Sequence, residues 1–122
     1  MILADTSVWI NHFHTEILEV QKLLDREKIV IHQTVLGELS VGNIHRRRER
    51  FLELSELGYA ATSDFEECLM FVETHRLYGI GLSWNDVQLL CSAKQNGYHL
   101  WTFDKTLDRA ARHLGIAYAS VH

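Results

Sequence analysis

The chain contains no proline. Its turns therefore rest on glycine, asparagine and aspartate, and no cis-proline shapes a site. Cysteine is scarce. The two present, Cys68 and Cys91, sit inside helical patterns and read as small buried residues in a reducing compartment, not as a disulfide framework. Long apolar runs are missing as well: stretches such as 1–4 and 29–31 fall far short of the ~20 residues of a membrane span. No charged segment followed by an apolar one opens the chain, so it reads as a cytoplasmic protein without a signal peptide. Positive charge is not in surplus either. Twelve lysines and arginines face sixteen aspartates and glutamates, a formal charge of −4 with histidine neutral. That balance excludes a uniformly basic nucleic-acid coat but permits a local basic patch. No repeat, low-complexity tract or linker breaks the chain, so residues 1–122 read as one domain.

What is present is a core-forming composition, 47% hydrophobic over 122 residues. Apolar residues alternate between two patterns. Short, β-branched or continuous apolar runs at 1–4, 28–31, 59–61, 98–102 and 116–119 predict five strands. Helical spacing predicts helices over 8–13, 16–26, 34–41, 46–57, 63–78, 84–96 and 105–113, several of them closed by Gly58, Gly97 or Gly115. Strands alternating with helices imply an α/β fold, a central parallel sheet covered on both faces. Ligands of such sheets bind beyond the carboxyl ends of the strands.

Acidic residues fall at those ends. Asp5 follows the first strand, Asp104 follows the strand ending near Thr102, and Asp86 lies in the first turn of its helix, in line with Leu89 and Leu90. Glu38, three residues from both Val35 and Val41, tilts toward the interior. Taken singly, Asp5 and Asp104 read as helix caps, 83–86 as a capping box with aspartate in the glutamate's place, and Glu38 as a half-exposed helix residue. Taken together, four converging carboxylates repel, and burial sharpens the repulsion. A hard divalent cation, Mg²⁺ or Mn²⁺, relieves it, and such a site supports metal-assisted phosphodiester hydrolysis.

Basic residues are concentrated in two places. Arg46, Arg47, Arg48 and Arg50 form one dense run, and Lys105, Arg109 and Arg112 recur three and four apart on one helix near Asp104. Each is either a solvated helix face or a set of phosphate contacts to RNA. Trp9 and Trp84 read as core residues in preference to base-stacking platforms. His12 and His14 find no partner at metal-ligand spacing. Gly79-Ile80-Gly81 lacks the third glycine of a dinucleotide loop and reads as a tight entry into the helix that follows.

Four segments together resemble the acidic motifs of the PIN-domain family, in particular VapC-type toxins of bacterial toxin–antitoxin pairs. They are residues 2–10 (ILADTSVWI), 37–39 (GEL), 86–90 (DVQLL) and 100–104 (LWTFD). The resemblance spans essentially the whole chain. It implies a PIN-like α/β/α sandwich with a central parallel sheet of about five strands, and a homodimer. It also implies an endoribonuclease in which Asp5, Glu38, Asp86 and Asp104 bind one or two Mg²⁺ or Mn²⁺ ions. Thr6 and Thr102 would shape the pocket beside Asp5 and Asp104. The implied partners are RNA, a cognate VapB-type antitoxin and, through the antitoxin alone, operator DNA; no membrane is involved. Two positions depart from the pattern. Asn11 stands where many relatives carry an acid. Asn85 replaces an apolar residue before the third acid, where it serves the pocket or the start of its helix. Two alternatives compete with this reading: a non-catalytic PIN-like RNA or protein interaction module, and a phosphoacceptor receiver domain of similar size and acidity.

Overall fold

A computed structural model describes residues 1–120; the last two residues of the stretch assigned to the domain, 121–122, lie outside the described residues. The first predicted strand forms as β1 (Ile2–Ala4). Asp5 stops it by accepting a hydrogen bond from the Val8 amide, which starts α1 (Thr6–His14) two residues earlier than the apolar pattern indicates. Then come α2 (Leu18–Asp25), β2 (Ile29–Ile31) and α3 (Gln33–Val41). They are followed by α4 (Arg47–Leu54), β3 (Gly58–Tyr59) and α5 (Phe65–His75). The chain continues through α6 (Trp84–Asn96), β4 (His99–Trp101) and α7 (Lys105–His113).

All strand pairs are parallel, in the order β3-β2-β1-β4. Every residue of β1 and β2 is buried. Because neighbouring side chains on a strand point to opposite faces, both faces of the sheet are covered. The fifth predicted strand, 116–119, is reduced to a single parallel bridge, Leu100 to Ala117. Its two hydrogen bonds flank Leu100: the Leu100 amide donates to Ile116 O and the Tyr118 amide donates to Leu100 O. The stretch follows the left-handed turn at Gly115, and the Tyr118 hydroxyl donates to Glu19. The opposite edge is blunt, since β3 is two exposed residues long.

Local chemistry sets the helix limits. Asp64 and Glu67 form a capping box that opens α5, and Ser83 with Asp86 forms another that opens α6. Gly97 closes α6 at a φ of +71°, where a Cβ would be strained. Gly79 and Gly81, both at positive φ, make the tight entry expected before α6. Trp9 is core, 1% exposed, as expected. Trp84 is not: it is 40% exposed and tilts against Phe65 at the surface, on the side of α6 away from buried Leu89 and Leu90. No helix among the described residues is long and apolar enough to cross a membrane.

The strand order fixes where a site can form. The chain steps from β1 to β2 to β3 in one direction, then crosses back to place β4 on the other side of β1. That reversal leaves a crevice beyond the carboxyl ends of β1 and β4. Leu100, fully buried in β4, supports one wall of it. Leu100→Ala is expected to cost about 2–5 kcal/mol, whereas Val41→Ala, at an exposed helix end, should stay within about 0.5 kcal/mol. Urea unfolding of the two variants beside wild type measures both.

Candidate active site at the β1/β4 crevice

Asp5 occupies the crevice because it is the first residue after β1. It is 7% exposed. One carboxylate oxygen accepts from the Ser7 hydroxyl at 2.6 Å and from the Val8 amide at 3.3 Å. The other accepts from the Thr102 hydroxyl at 2.5 Å. Thr102 follows β4, so this bond ties the ends of the two strands at the switch point. The Thr102 oxygen in turn accepts the Asp104 amide, and Ser7 Oγ accepts the Phe103 amide, both at 3.0 Å. No cation compensates Asp5. Burial pushes its pKa above the ordinary carboxylate value, against the opposing pull of its hydrogen bonds to Ser7, Thr102 and Val8.

The other three acids reach the same edge from three helices. Glu38, on α3, accepts the Thr6 hydroxyl at 2.7 Å, which couples it to the residue beside Asp5. Asp86 accepts the Ser83 amide through one oxygen. Asp104 caps α7, accepting the Thr106 and Leu107 amides through one oxygen. A Thr34–Gln88 hydrogen bond at 3.5 Å joins the starts of α3 and α6. Glu38 is exposed, against the expected inward tilt, because α3 turns it toward the crevice mouth and buries Val35 and Leu39 instead. Asp104 is exposed, while Asp86 and Asn85 are half-buried. Among the described residues no three histidine, cysteine, aspartate or glutamate side chains are drawn together closely enough to hold an ion. Each acid instead serves a local bond. Glu38, Asp86 and Asp104 nevertheless each keep one oxygen without a hydrogen bond, and the ion pairs of the described residues all lie elsewhere. Carboxylate oxygens are the donor type a hard divalent cation takes, so the residues fit such an ion in chemistry, while the described side chains are not drawn together around one point.

Comparison with known proteins places this arrangement. Residues 2–113 match the family described as PIN domain. The chain belongs to the PIN-domain family. Within that family it is 38% identical over 120 residues to Ribonuclease VapC32 of two Mycobacterium tuberculosis strains, covering 98% of this chain and 97% of the relative. The PIN fold is matched by the crystal structure of PAE2754 from Pyrobaculum aerophilum, with a TM-score of 0.64 and 18% identity over 93% of this chain and 96% of that one. It is also matched by that of FitAcB from Neisseria gonorrhoeae, with a TM-score of 0.60 and 16% identity over 92% and 94%. Membership of the PIN family sets the receiver-domain alternative aside.

In this PIN domain the two predicted basic groups part company. Lys105, Arg109 and Arg112 lie on α7, which starts at the crevice; Arg112 pairs with Asp108 at 2.7 Å. The 46–50 run lies elsewhere. Arg46 pairs with Glu49, Arg47 stacks over Phe51 and reaches Gly42 O, and Arg48 is exposed. Arg50 stacks over Phe13, donates to Phe13 O and pairs with Glu53. Phe13 is near the far end of α1, on the order of 10 Å along the helix from Thr6. Two residues that shape the structure near these acids have no place among those picked from sequence. Ser7 bridges Asp5 to the Phe103 amide, and its signal was the hydroxyl two residues after a strand-ending aspartate. His32, 1% exposed, caps α3 through Nδ1, and burial lowers its pKa. Histidine is not a typical cap residue, so nothing in the sequence marked it.

The buried charge on Asp5 has a stability signature. Its folded pKa lies above the unfolded value, so the native state holds the proton more tightly and stability falls as pH rises through that window. Asp5→Asn removes the buried charge while keeping the side chain's shape. In EDTA it is expected to melt higher than wild type at pH 7.5, with the gain shrinking as pH is lowered and wild-type Asp5 takes up its proton. Thermal unfolding across that range reads the difference; an equal offset throughout would show that the charge is not its source.

Proposed function

We propose that this chain is the toxin of a type II toxin–antitoxin pair and acts as a Mg²⁺- or Mn²⁺-dependent endoribonuclease. One observation carries the reading: four carboxylates without a cationic partner line the switch-point edge of a chain that aligns end to end with a protein named Ribonuclease VapC32. Asp5, Glu38, Asp86 and Asp104 would hold one or two ions. Bound there, the cation supplies Lewis-acid activation of water and charge neutralisation at the phosphodiester. Thr102 and Ser7 fix the rotamer of Asp5, Thr6 holds Glu38 toward the crevice, and the Ser83 box holds Asp86. Lys105, Arg109 and Arg112 supply positive charge for RNA phosphates on the crevice side, and Arg46, Arg47, Arg48 and Arg50 supply it, if they touch RNA, only on a long substrate.

The negative crevice also suits a basic inhibitory segment, which makes a VapB-type antitoxin the natural partner. Operator DNA is then reached through the antitoxin. Dimerisation and residence in the cytoplasm complete the proposed biology.

The purified chain is expected to cut single-stranded RNA with Mg²⁺ or Mn²⁺ and to stop in EDTA. Asp5→Ala and Asp86→Ala should fall to background. Thr102→Val, which removes a hydroxyl from an acid without removing the acid, should lower kcat/KM about 10–100-fold. A fluorogenic RNA assay with contaminating nuclease excluded decides it. RNA binding without cleavage under any divalent ion would replace the nuclease with an interaction module.

A further inference from the structure

Beside the acids, and sharing Thr102 with them, lies a second concavity of about 300 Å³. Its lining is aromatic and basic. Phe103 is 46% exposed, an unusual state for a phenylalanine between two residues of a hydrogen-bonded site. Its ring meets buried Trp101 edge-on at 6.0 Å, and Trp101 meets Tyr118 at 5.3 Å, so a rigid aromatic wall backs the cleft. The Phe103 amide donates to Ser7 Oγ, which fixes the backbone from which the ring projects. At the rim, Lys105 has no hydrogen-bond or ion-pair partner among the described residues, whereas Arg112 is neutralised by Asp108. A lone exposed apolar residue needs no explanation. A half-exposed ring on an aromatic wall, in a cleft with an unpaired ammonium at its mouth and an acid of the active site one residue away, is a different case.

We propose that this cleft is a nucleobase subsite. Phe103 stacks the base of a nucleotide next to the scissile phosphate, and Lys105 holds the adjoining phosphate. The inference rests on the ribonuclease reading and adds the form of its substrate. A volume at the small end of ligand pockets admits one unstacked nucleotide and not a base pair, so the RNA enters this side single-stranded. Stacking tolerates every base, so the subsite positions the strand and leaves sequence choice to other contacts.

The test separates stacking from bulk. Phe103→Leu keeps an apolar side chain but removes the ring face, and Phe103→Tyr keeps the face. With a mixed-sequence single-stranded RNA, Phe103→Leu and Lys105→Met are each expected to raise KM about ten-fold with kcat within about two-fold, and Phe103→Tyr to match wild type. Independently, 4-thiouridine RNA irradiated with the wild-type chain in EDTA should crosslink to the tryptic peptide 95–105. A Leu variant with wild-type KM, a loss confined to kcat, or crosslinks that avoid this peptide overturns the subsite. Crosslinking through the peptide by a chain that cuts no RNA with any divalent ion supports the subsite and overturns the ribonuclease reading.

Discussion

The hydrogen bond from Thr102 to Asp5 is the constraint on which the crevice depends. It spans 97 positions of sequence and joins the residues that leave β1 and β4, the two strands between which the sheet reverses its order. Asp5 ends one strand, caps a helix and places a carboxylate where water is nearly excluded. Those three tasks conflict. A cap wants charge near helix amides, and burial opposes charge. The structure settles the conflict with two hydroxyls and an amide in place of a cationic side chain, and the raised pKa of Asp5 is the residual cost. A lysine or arginine in that position would neutralise Asp5 and leave it no charge to offer the cation proposed above.

The remaining acids are arranged on the same logic at lower cost. Each uses one oxygen to satisfy a donor that would otherwise be orphaned at a helix start or on a neighbouring hydroxyl, and each leaves its second oxygen without a hydrogen bond among the described residues. On the proposed reading, structural and chemical roles share side chains. This explains why capping and metal-ligand readings of Asp86 and Asp104 looked equally good from sequence: they are readings of different oxygens of the same group.

Much of the architecture was legible because parallel sheets write themselves plainly. Runs such as ILA and IVI are continuous and apolar, since both faces are covered, and Gly97 at positive φ closes the helix before β4. What escaped were properties set by neighbours far away in sequence. The fifth strand is cut to one bridge because only Leu100 exchanges backbone hydrogen bonds with it. Trp84 looked like core because hydrophobicity alone does not encode which side of a helix faces out. The basic run looked like one surface, yet Arg50 is consumed by Phe13 and Glu53, contacts no local pattern reveals. Ser7 matters through the Phe103 amide, a partner that folding supplies.

The dual use of the capping aspartates has an evolutionary consequence. Asparagine caps helices about as well as aspartate, and the two differ by one nucleotide in the genetic code. At Asp104 such a change keeps the bonds to the Thr106 and Leu107 amides and the start of α7, while removing a negative charge from the crevice. If the chain is the toxin proposed above, a population under selection to escape it has a short mutational route to a variant that keeps this helix start but lacks one of the four acids. Silencing this gene by point mutation and losing the protein are separate events.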